Sequence, residues 1–416
     1  MSKAKPFNIS KQLVMKAYRL VKANKGAAGV DQQSLDDFAV KLKDNLYKLW
    51  NRMSSGSYFP PPVKAVEIPK KSGGTRVLGI PTVEDRIAQV VIKLMFEPKV
   101  EPHFLPDSYG FRPGKSALDA VGVTRRRCWE YDWVLEFDIQ GLFDNISHEL
   151  LLKAVRHHTD DRCVILYIER WLRAPLQKSE GPLVERTRGT PQGSPLSPVL
   201  ANLFLHYTFD AWMQRNHPGV PWCRYADDGL LHCRSERQAQ ALLSELEERF
   251  AECGLKLHSA KTKIVYCKDG SRKGKHRNIK FDFLGFTFRP RVVKNSTRNS
   301  IFVSFTPAVS DAALKSMRAY VRKRNLRNRA DLSLGIIAYR FNPVLRGWLN
   351  YYGRYQPSAM YPVLRHFNQT LVAWARRKYK RLRRHKTRAG KFMEAISERS
   401  PRLFEHWRRG MQGSFA

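Results

Sequence analysis

The stretch Trp222-Cys223-Arg224-Tyr225-Ala226-Asp227-Asp228-Gly229-Leu230-Leu231-His232-Cys233 decides how this chain is read. Two adjacent carboxylates lie between two short runs, Trp222 to Tyr225 and Leu230 to Cys233, that have the composition of strands. Asp-Asp-Gly between such runs predicts the turn of a β-hairpin. Adjacent Asp side chains at a tight turn repel each other unless a cation lies beside them. A solvated surface turn is the commoner use of this tripeptide. A pair of Mg²⁺ ligands is the other reading, and it requires a third carboxylate from elsewhere.

Asp138 supplies that group. It ends the run Trp133-Val134-Leu135-Glu136-Phe137-Asp138-Ile139, whose aromatic and branched residues predict a strand. A lone Asp ending a strand is commonly a cap. Here Phe143-Asp144-Asn145-Ile146 follows, and the order of elements adds weight. After the Asp138 strand come an apolar helix over 199–212, the two hairpin strands, a helix over 236–253, and strands over 255–258 and 263–266. Ser235 and Gln238 form a capping box for the second helix, Leu242, Leu246 and Phe250 share one face of it, and Gly254 stops it. This is a split β-α-β-β-α-β order, which brings the end of the first strand beside the hairpin.

Composition points to a polyanionic partner. The 416 residues, enough for two to four domains, carry 74 Lys plus Arg against 37 Asp plus Glu, a formal net charge of +37. From Arg289 to Lys391 there are 25 Lys or Arg and two acids, Asp311 and Asp331, so a boundary is expected near residue 289. No apolar run approaches a membrane span, and Met1 to Pro6 lacks the apolar segment of a secretory signal, so a cytosolic protein is expected. Six cysteines without a Cys-x-x-Cys pair predict reduced thiols rather than a zinc site or disulfides. His157-His158-Thr159-Asp160-Asp161 is sequential at a helix end and reads as a solvated cap, because its members cannot converge on one ion.

Tyr225-Ala226-Asp227-Asp228, the Asp138/Phe143 block and Pro191-Gln192-Gly193 stand in an order that resembles a reverse transcriptase. The surrounding segments, from about residue 10 to 375, make the chain similar to a reverse transcriptase/maturase encoded by a bacterial group II intron. The fold class this implies is α+β: a right-hand polymerase with fingers and a β-α-β-β-α-β palm, followed by an α-helical thumb or maturase domain. The implied divisions are 1–60, a helical extension on RNA; 61–288, fingers and palm; 289–375, the thumb; and 376–416, a basic arm.

The resemblance also implies residue roles. Asp138, Asp227 and Asp228 would be the catalytic carboxylates and, with the Ile139 carbonyl, would hold two Mg²⁺ ions. Lys70 and Arg76, flanking the glycine turn of the predicted hairpin Val66 to Pro81, would clamp the nucleoside triphosphate. Phe143 would exclude the 2′-hydroxyl, Gln192 would back the templating base pair, and Lys261 would protonate leaving pyrophosphate. Arg112, in Ser108-Tyr109-Gly110-Phe111-Arg112-Pro113-Gly114-Lys115-Ser116, would grip template. A phosphate-binding loop is rejected there, since the first glycine is displaced and no β-branched strand leads in. Gly285, inside the alternating run Phe281 to Phe288, would belong to the primer grip, as an interior strand glycine. Gln140 stands where many relatives carry Lys, which puts a secondary phosphate contact in doubt.

Four apolar stripes between Leu314 and Trp374 predict a three- or four-helix bundle with a cationic exterior. Ten Lys or Arg in the sixteen residues from Arg376 to Lys391 predict a phosphate-tracking arm, with Arg376, Arg377, Lys378, Lys380, Arg381, Arg383 and Arg384 as nucleic-acid contacts. The 25 residues beyond Lys391 lack cysteine, so a His/Cys-rich endonuclease domain and DNA nicking are not expected. The partners implied are group II intron RNA, an RNA template with DNA primer, dNTPs and target DNA, in a ribonucleoprotein that is monomeric or dimeric. A splicing cofactor without polymerase activity, or a reverse transcriptase domesticated for DNA repair or phage defence, are the alternatives. An RNA-copying RNA polymerase is disfavoured by Phe143.

Overall fold

The computed structural model describes residues 5–69, 73–178, 181–295, 299–413 and 415. It divides into two compact units, one of Met1–Ala120 with Leu135–Lys263 and one of Val121–Val134 with Ile264–Ala416.

The first unit opens with the helix Lys11–Asn24, capped by the Ser10 hydroxyl on Leu13 N at 3.1 Å, which buries Val14, Ala17, Tyr18 and Val21. Two further helices of the extension, Leu35–Val40 and Leu42–Ser54, are separated by a break at Lys41. The first eight strands in chain order are β1 (Val63–Pro69), β2 (Thr75–Ile80), β3 (Trp133–Asp138), β4 (Leu176–Gln177), β5 (Leu183–Val184), β6 (Trp222–Tyr225), β7 (Asp228–Cys233) and β8 (Lys263–Tyr266), of which β8 past Lys263 and the first two residues of β3 fall in the second unit's stretches. One sheet has the order β2-β1-β4-β5, with β1 and β2 antiparallel in the register Val66 opposite Leu78. The other has the order β6-β7-β3-β8. Leu255 to His258 contributes only a single bridge, Leu257 to Ile139, instead of a strand.

Helices cover the β6-β7-β3 core. Ser197–Leu205 is buried at every position but Pro198; the backbone then widens into a π-helical turn, His206–Asp210, before Ala211–Asn216. Glu236–Glu252 packs Ala239, Leu242, Leu246 and Phe250 inward. Its cap is a variant of the expected box: Ser235 accepts from Gln238 N, but the Gln238 amide oxygen accepts from Arg234 N at 2.8 Å. Phe137 of β3 meets Phe209 and Phe250 with ring centroids 5.2 and 5.9 Å apart, joining sheet and helices in one aromatic core.

The second unit contains a sheet of order β11-β10-β9, built from β9 (Phe281–Phe283), β10 (Phe286–Asn295) and β11 (Ser300–Val309). The expected boundary at 289 therefore falls inside β10. Gly285 is not in a strand interior. Leu284 and Gly285, with φ of 51° and 79°, form the two-residue turn between β9 and β10, the positive-φ pair that closes a tight hairpin. The helices are Asp311–Lys323, Leu334–Tyr352, Tyr361–Lys378, Lys386–Arg399 and Glu405–Arg408. Their core includes Met317, Phe341, Leu345, Phe367, Trp374, Met393, Phe404 and Trp407. The segment 376–416 is thus largely folded: every few positions an apolar residue, Leu382, Ala389, Met393 or Trp407, turns into this core between the basic ones. No described helix is long and apolar enough to cross a membrane. All six cysteines are buried, and no disulfide joins any of them among the described residues.

Candidate active site

The hairpin at Asp227 and Asp228 is one residue out of phase with the simplest reading. Tyr225 pairs with Asp228, so the turn residues are Ala226 and Asp227, and Asp228 already belongs to β7. Ala226 holds a φ of 57°, a conformation that costs an alanine energy and is fixed here by its surroundings. Gly229 serves packing, not the turn. A Cβ there would lie 2.1 Å from the Phe137 ring, so glycine lets β3 pass close beneath the hairpin.

Ile139 N donates to the Asp227 carbonyl at 3.3 Å, which sets the end of β3 against the turn. The bridge on its other side uses Asp138 O, accepting from His258 N, and Gln140 N, donating to Lys256 O, both at 2.8 Å. Ile139 is thus a non-hydrogen-bonded partner of Leu257, and its own peptide groups face the Asp227 side. Asp138, Asp227 and Asp228 therefore share one corner of one unit. Burial raises the Asp227 carboxyl, and the charge of Asp138 adds to it. Burial followed by the charges of Asp227 and Asp138 pushes Asp228 up to about 7. Lys261 lies on Asp138 as an ion pair, and this hydrogen bond raises the ammonium pKa.

Among the described residues no three His, Cys, Asp or Glu side chains close into a metal cage. The donor set fits an open oxygen site instead. Mg²⁺ takes one or two carboxylates and completes its shell with water and substrate phosphates, so mutually repelling Asp227, Asp228 and Asp138, already balanced by one ammonium, suit it.

Behind the turn lies a network that sequence reasoning missed. Arg224, fully buried, donates to both carboxylate oxygens of Asp210 at 2.8 and 2.6 Å, to Asn202 Oδ1 and Ala226 O at 3.2 Å, and to Ser108 Oγ at 2.8 Å. All five guanidinium N–H groups are satisfied, and one of them holds the strained Ala226. The signal was present in principle, as an Arg inside an apolar strand run with an Asp at the end of an apolar helix, since buried charges occur in pairs.

The remaining expected residues are placed as follows. Arg76 is exposed on β2; Lys70 lies outside the described residues. Phe143 is half-buried, and its carbonyl accepts from Thr190 N at 2.7 Å, fastening it to the segment before Pro191. The Gln192 carbonyl accepts from Gly79 N of β2 at 2.7 Å. Arg112 must be corrected. It is enclosed, with an ion pair to Glu101 at 2.8 Å and bonds to the carbonyls of Leu105, Ser108 and Phe104, so it braces its own loop and presents no free donor face to a strand. Lys378 is also turned inward, onto Ala330 O and Leu332 O, both at 2.9 Å. Arg376 is half-buried, whereas Arg377, Lys380, Arg381, Arg383 and Arg384 are exposed. His158, expected as part of a solvated cap, bonds Tyr207 Oη at 2.7 Å, and burial lowers it to about 4.

Residues 68–288 match the family model for reverse transcriptase (RNA-dependent DNA polymerase). The chain belongs to the reverse transcriptase family. Asp138, Phe143, Gln192, Asp227, Asp228 and Lys261 all fall within this reverse transcriptase region. Residues 314–391 match the group II intron maturase-specific domain, so that domain runs past residue 375 into the helix Lys386–Arg399. Protein YkfC of Escherichia coli (strain K12) is 32% identical over 308 residues, covering 64% of this chain and 79% of YkfC. The group II intron-encoded protein LtrA of Lactococcus lactis subsp. cremoris is 35% identical over 193 residues, 46% of this chain and 32% of LtrA. A putative COX1/OXI3 intron 1 protein of Saccharomyces cerevisiae is 29% identical over 204 residues, 49% of this chain and 24% of its own length.

Proposed function

We propose that this reverse transcriptase copies RNA into DNA at the corner where Asp138 meets the Asp227-Asp228 hairpin. The observation that carries the reading is the buried, mutually repelling carboxylate set, in which Asp228 is held near a pKa of about 7 until a cation offsets the repulsion. Asp138, Asp227 and Asp228, with the Ile139 carbonyl, would hold two Mg²⁺ ions, which supply acidification of the primer 3′-hydroxyl and a grip on the triphosphate. The chain's own residues do the rest. Arg76, with Lys70, clamps the triphosphate; Lys261 holds a proton beside Asp138 for the leaving pyrophosphate. Phe143 fills the space a 2′-hydroxyl needs, Gln192 backs the templating pair, and the Gly285 turn lies against the primer. These roles give the first unit fingers and palm, and the helical unit a thumb. The substrates are dNTPs and an RNA template with DNA primer.

Primer extension on an RNA template with dNTPs and Mg²⁺ tests the reading. The wild-type chain extends; Asp227→Ala gives no product while filter binding shows RNA retained. Extension by Asp227→Ala at the wild-type rate would overturn the assignment. Phe143→Ala should raise ribonucleotide incorporation by about tenfold or more, measured by single-nucleotide addition of rNTP against dNTP.

The maturase-specific match at 314–391 favours a second activity, binding of the chain's own group II intron RNA to assist its splicing, in a ribonucleoprotein of the bacterial cytoplasm that also meets target DNA. The exposed Arg377, Lys380, Arg381, Arg383 and Arg384 would then track RNA phosphates from a folded surface. Splicing supported by Asp227→Ala separates this binding role from polymerisation.

A further inference from the structure

The second unit contains a cleft of about 660 Å³, bounded by Arg125 and Trp129, by Asp269 and by Lys294 and Phe302 of the β10–β11 hairpin. Its walls are aromatic and unusually open for their size: Trp129 is 42% exposed and Phe302 48%. Trp129 is nonetheless fixed. Its indole N–H donates to Phe305 O at 3.0 Å, and the Arg125 guanidinium lies 4.5 Å from its ring centre. Arg125 is held in turn by the Tyr355 ring, 5.5 Å away, and by Thr306 Oγ1, which accepts from its Nε at 3.3 Å. A rigid aromatic face with a cation laid on it is a stacking platform that costs little side-chain entropy to occupy.

The charge around the cleft selects the occupant. Asp269 is the acid on its rim, and its carboxylate is engaged: it accepts from Ser271 N, Ser271 Oγ and Arg272 N at 2.8–2.9 Å, with the Arg272 guanidinium 3.6 Å away. Arg125 and the exposed Lys294 are thus left as the effective charges. A second copy of a chain of formal charge +37 would bring like charge against them, whereas a nucleic acid strand brings phosphate. Open aromatic faces beside cations suit an unpaired base, which a duplex does not offer.

We propose that this cleft takes one unpaired nucleotide of an RNA strand, its base against Trp129 and Phe302 and its phosphate against Lys294 and Arg125. The inference rests on the reading of the chain as an RNA-binding reverse transcriptase, and it adds a nucleotide subsite separate from the carboxylate corner. Its test uses the full-length chain, a short labelled oligouridylate and the same oligomer carrying a photoreactive thiouridine. Phe302→Ala with Lys294→Gln changes two exposed side chains and should leave the fold intact. Wild-type crosslinks should map to Trp129 or Phe302. The double variant should lose them, bind the oligomer roughly 3- to 10-fold more weakly and show a shallower salt dependence, while extending a pre-annealed template–primer at the wild-type rate. Unchanged affinity with crosslinks mapping elsewhere overturns the proposal. So does sedimentation showing a wild-type dimer that the double variant dissociates, since the cleft would then join two copies. Crosslinking to Phe302 by a chain that extends no primer would uphold the subsite and sink the polymerase reading instead.

Discussion

The hairpins β6–β7 and β10–β11 are both antiparallel ribbons of aliphatic and aromatic residues, yet they meet solvent in opposite ways. In the first, Arg224, Leu230, Leu231, His232 and Cys233 are all buried, and the acids at its tip are half-buried. In the second, Val292, Ile301, Phe302 and Val303 face outward. One ribbon therefore keeps charge where apolar groups belong, and the other keeps apolar groups where charge belongs. Each arrangement is unfavourable in the isolated chain, the first through desolvation of carboxylates and the second through hydration of aromatic and aliphatic surface. Each would be relieved by a ligand of the matching kind, a divalent cation at the proposed metal site and a nucleobase at the proposed cleft.

The comparison breaks most readily at Arg224. Arg224→Met would leave Asp210 buried without its partner, at a cost of about 3–5 kcal/mol and a fall in Tm of roughly 10 °C by thermal melting. An unchanged Tm would mean the hairpin does not depend on its buried pair. Asp228→Asn probes the tip itself. With its folded pKa near 7 against 3.8 unfolded, Asp228 binds a proton in the folded state that the unfolded chain releases, so stability declines as pH rises from about 4 through about 7. The variant should melt several degrees higher than wild type at about pH 8 in chelator, with a flatter profile. Asp85, buried and raised to about 6, acts in the same direction and keeps some slope in place. Mg²⁺ should raise the Tm of wild type above pH 7 more than that of the variant. The smallest effect sharpens the contrast by pairing two aliphatic residues. Leu230→Ala should cost about 2–5 kcal/mol in urea unfolding, while Val292→Ser, at a side chain 67% exposed, should stay within about 0.5 kcal/mol.

The same contrast explains what was legible beforehand. Asp138, Asp227 and Asp228 stood out through their order along the chain and its resemblance to a reverse transcriptase, since an acid at a turn or a strand end is common by itself. The helix Glu236–Glu252 and the strands on either side of the Asp227-Asp228 turn were readable because they keep clean periods, whereas the expected strand 255–258 is only a bridge. The phase of the turn was not, since the role of Gly229 depends on the Phe137 ring from a distant strand. The β10–β11 ribbon escaped because Arg289, Arg291 and Lys294 made the segment look like the start of a basic helical region, and alternation was read only as far as Phe288. Arg112 and Lys378 misled for a common reason. A cation in a basic loop or run looks solvated until the carbonyls around it are seen, and those come from elsewhere in the chain for Lys378 and from the loop's own path for Arg112.

The π-helical turn His206–Asp210 has a consequence for how this chain tolerates change. Ala211 N reaches back five residues to His206 O, so one residue more than an α-helix would use is stored there. Deleting the stored residue would let the coil rewind to the ordinary pitch with its flanking turns still in phase, whereas deleting one residue of the regular helix Ser197–Leu205 would swing Asp210 by about 100° around the axis and away from Arg224. A length change of one codon, far from the carboxylates in sequence, would thereby loosen the floor on which they stand.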